Sequence, residues 1–336
     1  MENIKEAMFY TKLGDGKVRC ELCRHRCILR DGQIGICKVR KNIGGKLYTL
    51  VYGKPIAVHI DPIEKKPLFH FLPGARAFSI ATVGCNFRCK FCQNWDISQP
   101  TQIEGYDLPP ETAVELAEQH NCEVIAYTYT EPTVFYEYAY DMAKLAHERG
   151  IKNVFVTNGY ITRDALEAIS PYLDGANVDL KGMNREFYSR YIGARLSELL
   201  DSIKVFKELG IWLEVTTLVV PGYNDREDEL RAVADFIKNE LGEDTPWHVS
   251  RFYPHYKMRF VPPTPLETLL RARDIGYEVG LKYIYVGNVP GESEDTVCPN
   301  CHRKLIRRWG FSVMENKITS DGKCPYCGTK IAGVWT

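Results

Sequence analysis

AFSIATVGCNFRCKFCQNW, residues 77–95, joins an apolar, strand-like run to a polar loop that carries Cys85, Cys89 and Cys92 within eight residues. Positions i, i+4 and i+7 also share one helical face, so three buried thiols on a helix would satisfy the spacing. Gly84 and Asn86 open a helix badly, however, and Arg88 and Lys90 make the stretch polar. Metal ligation therefore reads better than packing. Zinc would need a fourth ligand from elsewhere in the chain. A cubic 4Fe–4S cluster ordinarily takes four thiolates, and three leave one iron open to a small molecule.

Outward from this loop, short apolar strands alternate with amphipathic helices. The strands are AFSIATV, EVIAYTYT, NVFVTN, GANVDLK, IWLEVTTLVV, PWHVSRF and KYIYVG. Segments such as PETAVELAEQH, LSELLDSIKVFKELG and PLETLLRARDIGYEVG lie between them, several following Pro, Thr or Asp and ending at Gly, as helix caps require. Strand–helix alternation predicts an α/β fold with right-handed crossovers and a parallel sheet, curling at this length into a full or partial TIM-like (β/α) barrel. Active residues then belong at the C-terminal strand ends, and the cysteine loop leaves such an end. Residues 1–75 read as a small irregular cysteine-rich module in which KLYTLVYGKPIAVHI suggests a hairpin. Residues 76–290 read as the barrel core, and 291–336 as a zinc-ribbon-like tail.

The chain has 336 residues, 43 basic against 43 acidic, with 45% hydrophobic and 26% charged residues. A packed core is easily built, and the balance gives no reason to expect nucleic acid or a membrane surface. The start, MENIKEAMFYTKLGDGK, has no apolar core followed by a cleavage site, and the longest apolar runs fall far short of the roughly 20 residues of a membrane helix. The expectation is a cytoplasmic protein. Twelve cysteines are many for that setting, where disulfides are disfavoured, and they point to metal. Three groups account for eleven: Cys20, Cys23, Cys27 and Cys37; the trio; and Cys298, Cys301, Cys324 and Cys327. Cys122 reads as a small buried apolar residue.

CNFRCKFC, with an aromatic Phe91 before the last cysteine, resembles the signature loop of the radical SAM superfamily. The layout of the whole chain is similar to the branch of the pyruvate formate-lyase activating enzymes, and more closely to the radical SAM member of the AmmeMemoRadiSam group. The resemblance implies a 4Fe–4S cluster on Cys85, Cys89 and Cys92. Its open iron would bind S-adenosylmethionine, and one electron would release a 5′-deoxyadenosyl radical that abstracts hydrogen from a substrate. It implies contacts to S-adenosylmethionine from Phe91, Thr130 and Glu131 of YTEP, where the family carries Gly-Gly-Glu-Pro. It also implies contacts from Thr157 and Asn158 of VTNGY, Asp179 and Lys181 of VDLKG, His255, and Asn288 at the last strand end. Glu131 could instead be a helix N-terminal carboxylate, and Asp179–Lys181 a structural ion pair. His248 reads as structural, Arg251 and Tyr253 as candidates for facing substrate, and Asn224 or Asp225 as a helix cap. An electron donor such as ferredoxin or flavodoxin is implied as a partner.

CPNC and CPYC, separated by residues 302–323, form a strong zinc-ribbon signal, although four thiolates would also hold an iron–sulfur cluster. For Cys20, Cys23, Cys27 and Cys37, with His25 nearby, zinc and an auxiliary 4Fe–4S cluster both stand. Arg303, Lys304, Arg307 and Arg308 could face nucleic acid, though a solvated face is the plainer reading. The substrate is a protein glycine, as for activating enzymes, or another protein side chain or small molecule. An RNA-modifying radical enzyme and a non-catalytic zinc-binding adaptor are the alternatives.

Overall fold

The structure, a computed structural model, describes residues 4–289 and 294–336; the expected boundary between 290 and 291 lies outside the described residues. One eight-stranded sheet organises the chain. Its strands are β1 (Ala57–Pro62), β2 (Arg76–Ala81), β3 (Val124–Tyr127), β4 (Lys152–Thr157), β5 (Gly175–Asp179), β6 (Trp212–Val219), β7 (Trp247–Arg251) and β8 (Ile284–Gly287). They pair in sequence order, parallel from β2 to β8, with β1 antiparallel on β2. The sheet curls, yet no pairing joins β8 to β1 among the described residues, so the barrel is partial.

The crossovers carry α1 (Pro110–Gln119), α2 (Tyr136–Glu148), α3 (Arg163–Ile169), α4 (Leu196–Glu208), α5 (Glu227–Phe236) and α6 (Leu266–Val279). Local chemistry sets their ends. Pro110 occupies the first turn of α1, where a missing N–H costs nothing, and Gly280 stops α6 in the left-handed conformation at φ +105°. Outward sheet residues such as Val178, Val215 and Val249 pack in one core with helix residues such as Met142, Ile203 and Leu269.

The segment from Lys66 to Leu72 plugs the barrel's N-terminal end. Phe71 packs on Ala77, Val124, Ala126 and Val154. Its ring leaves no space over Gly175, where a Cβ would stand 3.1 Å from it. Glu214 of β6, fully buried, accepts the backbone N–H groups of Phe69 (3.0 Å) and His70 (2.8 Å) and holds His248 at 2.7 Å.

The expected hairpin in residues 46–60 does not form. Lys46–Thr49 pairs with Arg40–Ile43 and Lys5–Glu6 in a small separate sheet, while the Ala57–Pro62 half becomes β1 of the barrel sheet. Gly53 and Pro55 between the two runs give a wide turn, and the edge of β2 offers a longer pairing than a local hairpin would. A second small sheet joins Tyr10–Lys12, Val18–Cys20 and Ile28–Leu29. Both small sheets are held to the barrel mouth. Thr162 N donates to Leu22 O at 3.1 Å, and Arg40 forms a buried ion pair with Glu137 of α2 at 2.8 Å.

At the C-terminus, β9 (Thr296–Val297), β10 (Lys304–Trp309) and β11 (Ser312–Asn316) make an antiparallel ribbon. Phe69, Tyr283, Tyr285, Cys298, Leu305, Cys324 and Ile331 share one core, so the ribbon packs on β8 and the plug. No helix among the described residues is long and apolar enough to cross a membrane.

Candidate active site

The C-terminal strand ends surround a cavity of about 600 Å³. Cys85, Cys89, Cys92 and Phe91 reach it from the loop after β2, and Thr130 from the loop after β3. Thr157 and Asn158 come from the end of β4, Asp179 and Lys181 from β5, and Asn288 from β8. Ten of the twelve residues expected here from the sequence thus share one wall. His255 is not among the lining residues, nor are Arg251 and Tyr253; Tyr253 instead donates to the Asn288 carbonyl at 3.2 Å. Glu131 also stays out of the lining. It lies fully buried behind it and accepts from Thr133 N (3.0 Å), Thr133 Oγ1 (2.6 Å), Thr157 Oγ1 (2.7 Å) and Asn158 N (2.8 Å). Burial pushes its pKa up, and these donors partly offset that. In this geometry Glu131 fixes the strand ends that carry Thr157 and Asn158.

The thiols are set for ligation. Burial pushes the Cys89 thiol up to about 12 and Cys85 well above its ordinary value, so neither ionises unaided. A cation is what makes a buried thiolate affordable. Donors already face the sulfurs: Phe87 N lies 3.3 Å from Cys85 Sγ, and Ser98 Oγ 3.4 Å from Cys92 Sγ. Gly84 has φ +102°, which lets the chain turn sharply from β2 into the loop. Three thiols on one wall of a cavity this large fit a cluster bound on one face, with space left for a ligand on its open iron.

Lys181 Nζ pairs with Asp179 at 2.8 Å. Burial alone would lower the lysine, but the charge of Asp179 and its hydrogen bond hold it above its usual range. The pair is internally satisfied and still lines the cavity, so the structural and the binding readings of Asp179–Lys181 coexist.

Several lining residues gave no sequence signal. Lys66 lies 2.7 Å from Asp61 Oδ2, and Tyr129 donates to the same carboxylate. Burial pushes Lys66 down to about 8. Burial pushes Glu294 up to about 7, aided by Glu64 beside it and opposed by Arg308. Glu64 Oε2 is buried without a partner. Glu64, Lys66, Glu294 and Phe311 reach the cavity from the plug and the ribbon, far from the barrel motifs, and only docking brings them there.

At the tail, Cys298, Cys301, Cys324 and Cys327 have their sulfurs all within 4.8 Å of one another, so this quartet could hold a metal. The basic run beside it is partly consumed internally. Arg308 is buried against Phe69, Thr296 and Glu64, Lys304 pairs with Asp295, and Arg303 covers the Tyr326 ring. Cys122 is buried at 3% exposure.

Comparison with known proteins agrees with this geometry. The model of the Radical SAM superfamily matches residues 79–237. A Methanocaldococcus jannaschii protein, MJ0808, is 51% identical over 332 residues, covering 98% of this chain and 99% of that one. The pyruvate formate-lyase 1-activating enzyme of Escherichia coli K12 is 25% identical over 230 residues, covering 63% of this chain and 93% of that one. Among solved structures, a radical SAM methyltransferase from Sphaerobacter thermophilus superposes with a TM-score of 0.52 at 17% identity, over 64% of this chain and 67% of that one. SuiB of Streptococcus suis, bound to its precursor peptide SuiA, gives 0.51 at 14% identity, over 68% of this chain and 52% of that one. With the partial parallel barrel and the three-cysteine loop at its mouth, the match over residues 79–237 makes the chain an enzyme that carries a radical SAM domain, with relatives among the activating enzymes.

Proposed function

We propose that the cavity at the strand ends binds a 4Fe–4S cluster on Cys85, Cys89 and Cys92, together with S-adenosylmethionine, and performs hydrogen abstraction on a substrate entering from the mouth. One observation carries the reading: three thiols and the polar ends of β4, β5 and β8 converge on a single cavity of about 600 Å³. Held by Cys85, Cys89 and Cys92, the cluster would supply one-electron reduction of the S-adenosylmethionine sulfonium, with the electron coming from the external donor. The chain's own residues do the rest. Asp179 and Lys181 present a fixed charge pair to the amino-acid and ribose end, and Thr130 offers its backbone carbonyl to the ammonium. Asn158 and Asn288 add polar edges, and Phe91 supplies an apolar floor. Glu131 keeps Thr157 and Asn158 in register from behind. The plug and ribbon seal the end of the barrel opposite the mouth and so keep water away from a carbon radical on that side. Lys66, Glu64 and Glu294, which line the cavity from that side, are the groups placed to meet a polar substrate. A protein glycine is the favoured target, by similarity to activating enzymes, with ferredoxin or flavodoxin as electron donor in a reducing, cytoplasmic setting.

The tail quartet is read as zinc. A Zn–S bond of about 2.3 Å gives a tetrahedral sulfur–sulfur edge of about 3.8 Å, and Cys298–Cys327 and Cys301–Cys324 stand at 3.6 and 3.7 Å. Protein reconstituted anaerobically and given a strong reductant is expected to convert S-adenosylmethionine to 5′-deoxyadenosine. Cys89→Ala is expected to abolish that conversion. No product from the wild-type protein would sink the radical reading, and transfer and ribosomal RNA whose modifications are the same in wild-type and deletion strains would favour a protein or small-molecule substrate over RNA.

A further inference from the structure

Given a cluster on Cys85, Cys89 and Cys92, the reading on which this rests, we propose that the outer face of their loop docks an acidic protein that carries one electron at a time. The loop is a thin wall with two different sides. Cys85, Phe87, Cys89 and Phe91 line the cavity, while Arg88 and Lys90, which alternate with them, do not. Arg88 is exposed and Lys90 half-buried. Backbone hydrogen bonds pin this wall. Arg88 N and Lys90 N donate to Ile192 O (2.8 Å) and Tyr191 O (2.9 Å), and Lys257 N donates to Lys90 O (2.9 Å). Lys257 therefore stands beside the loop, and it too is exposed. The two lysines lie over rings rather than acids: Lys90 Nζ is 4.6 Å from the centre of Tyr191, and Lys257 Nζ 5.1 Å from that of Tyr256. The carboxylates of the neighbouring segment are already taken, Glu186 by Arg190 at 2.7 Å and Glu198 by Arg195 at 3.0 Å. Among the described residues, Arg88, Lys90 and Lys257 thus keep their charge unneutralised by any ion pair.

An aromatic pair continues the same face. Tyr256 stacks on Trp95 at 5.0 Å with 9° between the ring planes, and Trp95, three residues beyond Cys92, is 37% exposed. Trp, Tyr and Arg are the side chains that most often anchor protein interfaces. Asp96 is the only carboxylate in residues 83–98. None of Arg88, Lys90, Trp95, Tyr256 and Lys257 lines the cavity, so a substrate that must meet the radical is not held by them. An electron, by contrast, has to cross this wall from outside, and Cys89, between Arg88 and Lys90, lines its inner side. One electron leaves the carrier for the cluster, with no bond or proton transferred. The whole chain has 43 basic and 43 acidic residues, so only a local patch can steer a charged partner. Such steering raises association rates about 10–1000-fold.

The test uses the full chain reconstituted anaerobically with iron and sulfide, with an acidic ferredoxin and an acidic flavodoxin, both oxidised, as probes. The wild type is expected to bind at least one of them, with an affinity that falls as salt rises. R88E/K90E/K257E is expected to weaken that binding on the order of tenfold or more. Its iron content, and its yield of 5′-deoxyadenosine with dithionite as reductant, should match the wild type, while the yield with the reduced carrier drops. Two of these positions lie in the cysteine loop, so K257E alone is the second variant; it should weaken carrier binding with iron content intact. Binding of neither carrier by the wild type, or equal binding by wild type and both variants, would overturn the proposal. Transfer RNA that displaces the carrier and binds more tightly would overturn it in favour of nucleic acid at this face. Binding is read without turnover, so a wild type that makes no 5′-deoxyadenosine with dithionite is a separate failure, that of the radical reading.

Discussion

Two buried side chains make sharp tests. Glu131 accepts four hydrogen bonds and has no contact with solvent. Glu131→Gln presents an amide donor to groups that are themselves donors, and a buried unsatisfied polar group costs about 1–3 kcal/mol. We expect a lower melting temperature and weaker S-adenosylmethionine binding, seen by calorimetry, because Thr157 and Asn158 lose their common anchor. His70 is the second. Its Nδ1 bonds to the Ala332 carbonyl at 2.6 Å, and its Nε2 meets the Tyr285 hydroxyl at 2.6 Å. Nδ1 must donate, since a carbonyl only accepts; Nε2 then accepts from the phenol. Burial holds this imidazole down to about 4. A depressed pKa means the unfolded chain binds more protons between that value and the ordinary 6.5. The neutral ring's contribution is therefore complete above about pH 6.5 and is lost as the pH falls toward 4. The loss is on the order of 3 kcal/mol. Stability curves at pH 7 and pH 4.5 should differ less in His70→Gln than in the wild type, and equal slopes would remove His70 as the cause.

At the scale of elements, the turn from β2 into the cysteine loop is the most constrained. A Cβ on Gly84 would stand 2.6 Å from Val39 Cγ1 and 2.9 Å from the Cys37 carbonyl, at φ +102°. Strain of order 1–3 kcal/mol is expected for Gly84→Ala. The loop and the N-terminal strand region must then separate. The measurable result is lower iron content together with a lower melting temperature, whereas Gly210→Ala, where nothing lies within 4 Å, should leave iron content unchanged. The helices pose no such conflict. Their caps and apolar stripes agree with the barrel, and their order along the chain is the order of the sheet.

Across the whole molecule, the tail and the plug close one end of a barrel that strand pairing leaves open. Arg308 is the link. It donates to the Phe69 carbonyl at 2.7 Å and to Thr296 Oγ1 at 2.8 Å, stands 3.5 Å from Glu64, and covers the Phe69 ring. Arg308→Ala leaves Glu64 buried with one fewer partner, and loss of one member of a buried pair costs about 3–5 kcal/mol. Limited proteolysis should then cut the tail well before the barrel. On the zinc reading of the tail quartet, a chelator should have the same effect, since a segment with so small a core of its own depends on a bound metal. A tail that stays resistant in both experiments would mean that the hydrophobic contact with Tyr283 and Tyr285 suffices.

The barrel and its site were legible because their signals are local. A short apolar strand, a helix stripe and a Cys-x3-Cys-x2-Cys spacing each lie within one short window, and all seven parallel strands and the cysteine loop could be read there. So could Asp179–Lys181, since alternation along β5 puts both on one side. What tertiary structure decided is long-range. The antiparallel edge β1 depends on pairing with β2, not with its near neighbour in the chain. Glu131 turned inward because four donors, from the end of β4 and from its own turn, were there to receive it. Lys66, Glu64 and Glu294 became cavity groups only through docking of the plug and the ribbon. The cysteine spacings at the two ends of the chain left zinc and iron–sulfur both open, because spacing does not fix how far apart sulfurs stand. Packing draws the tail sulfurs within 4.8 Å of one another and brings Cys20, Cys23, Cys27 and Cys37 to the wall of one small hole.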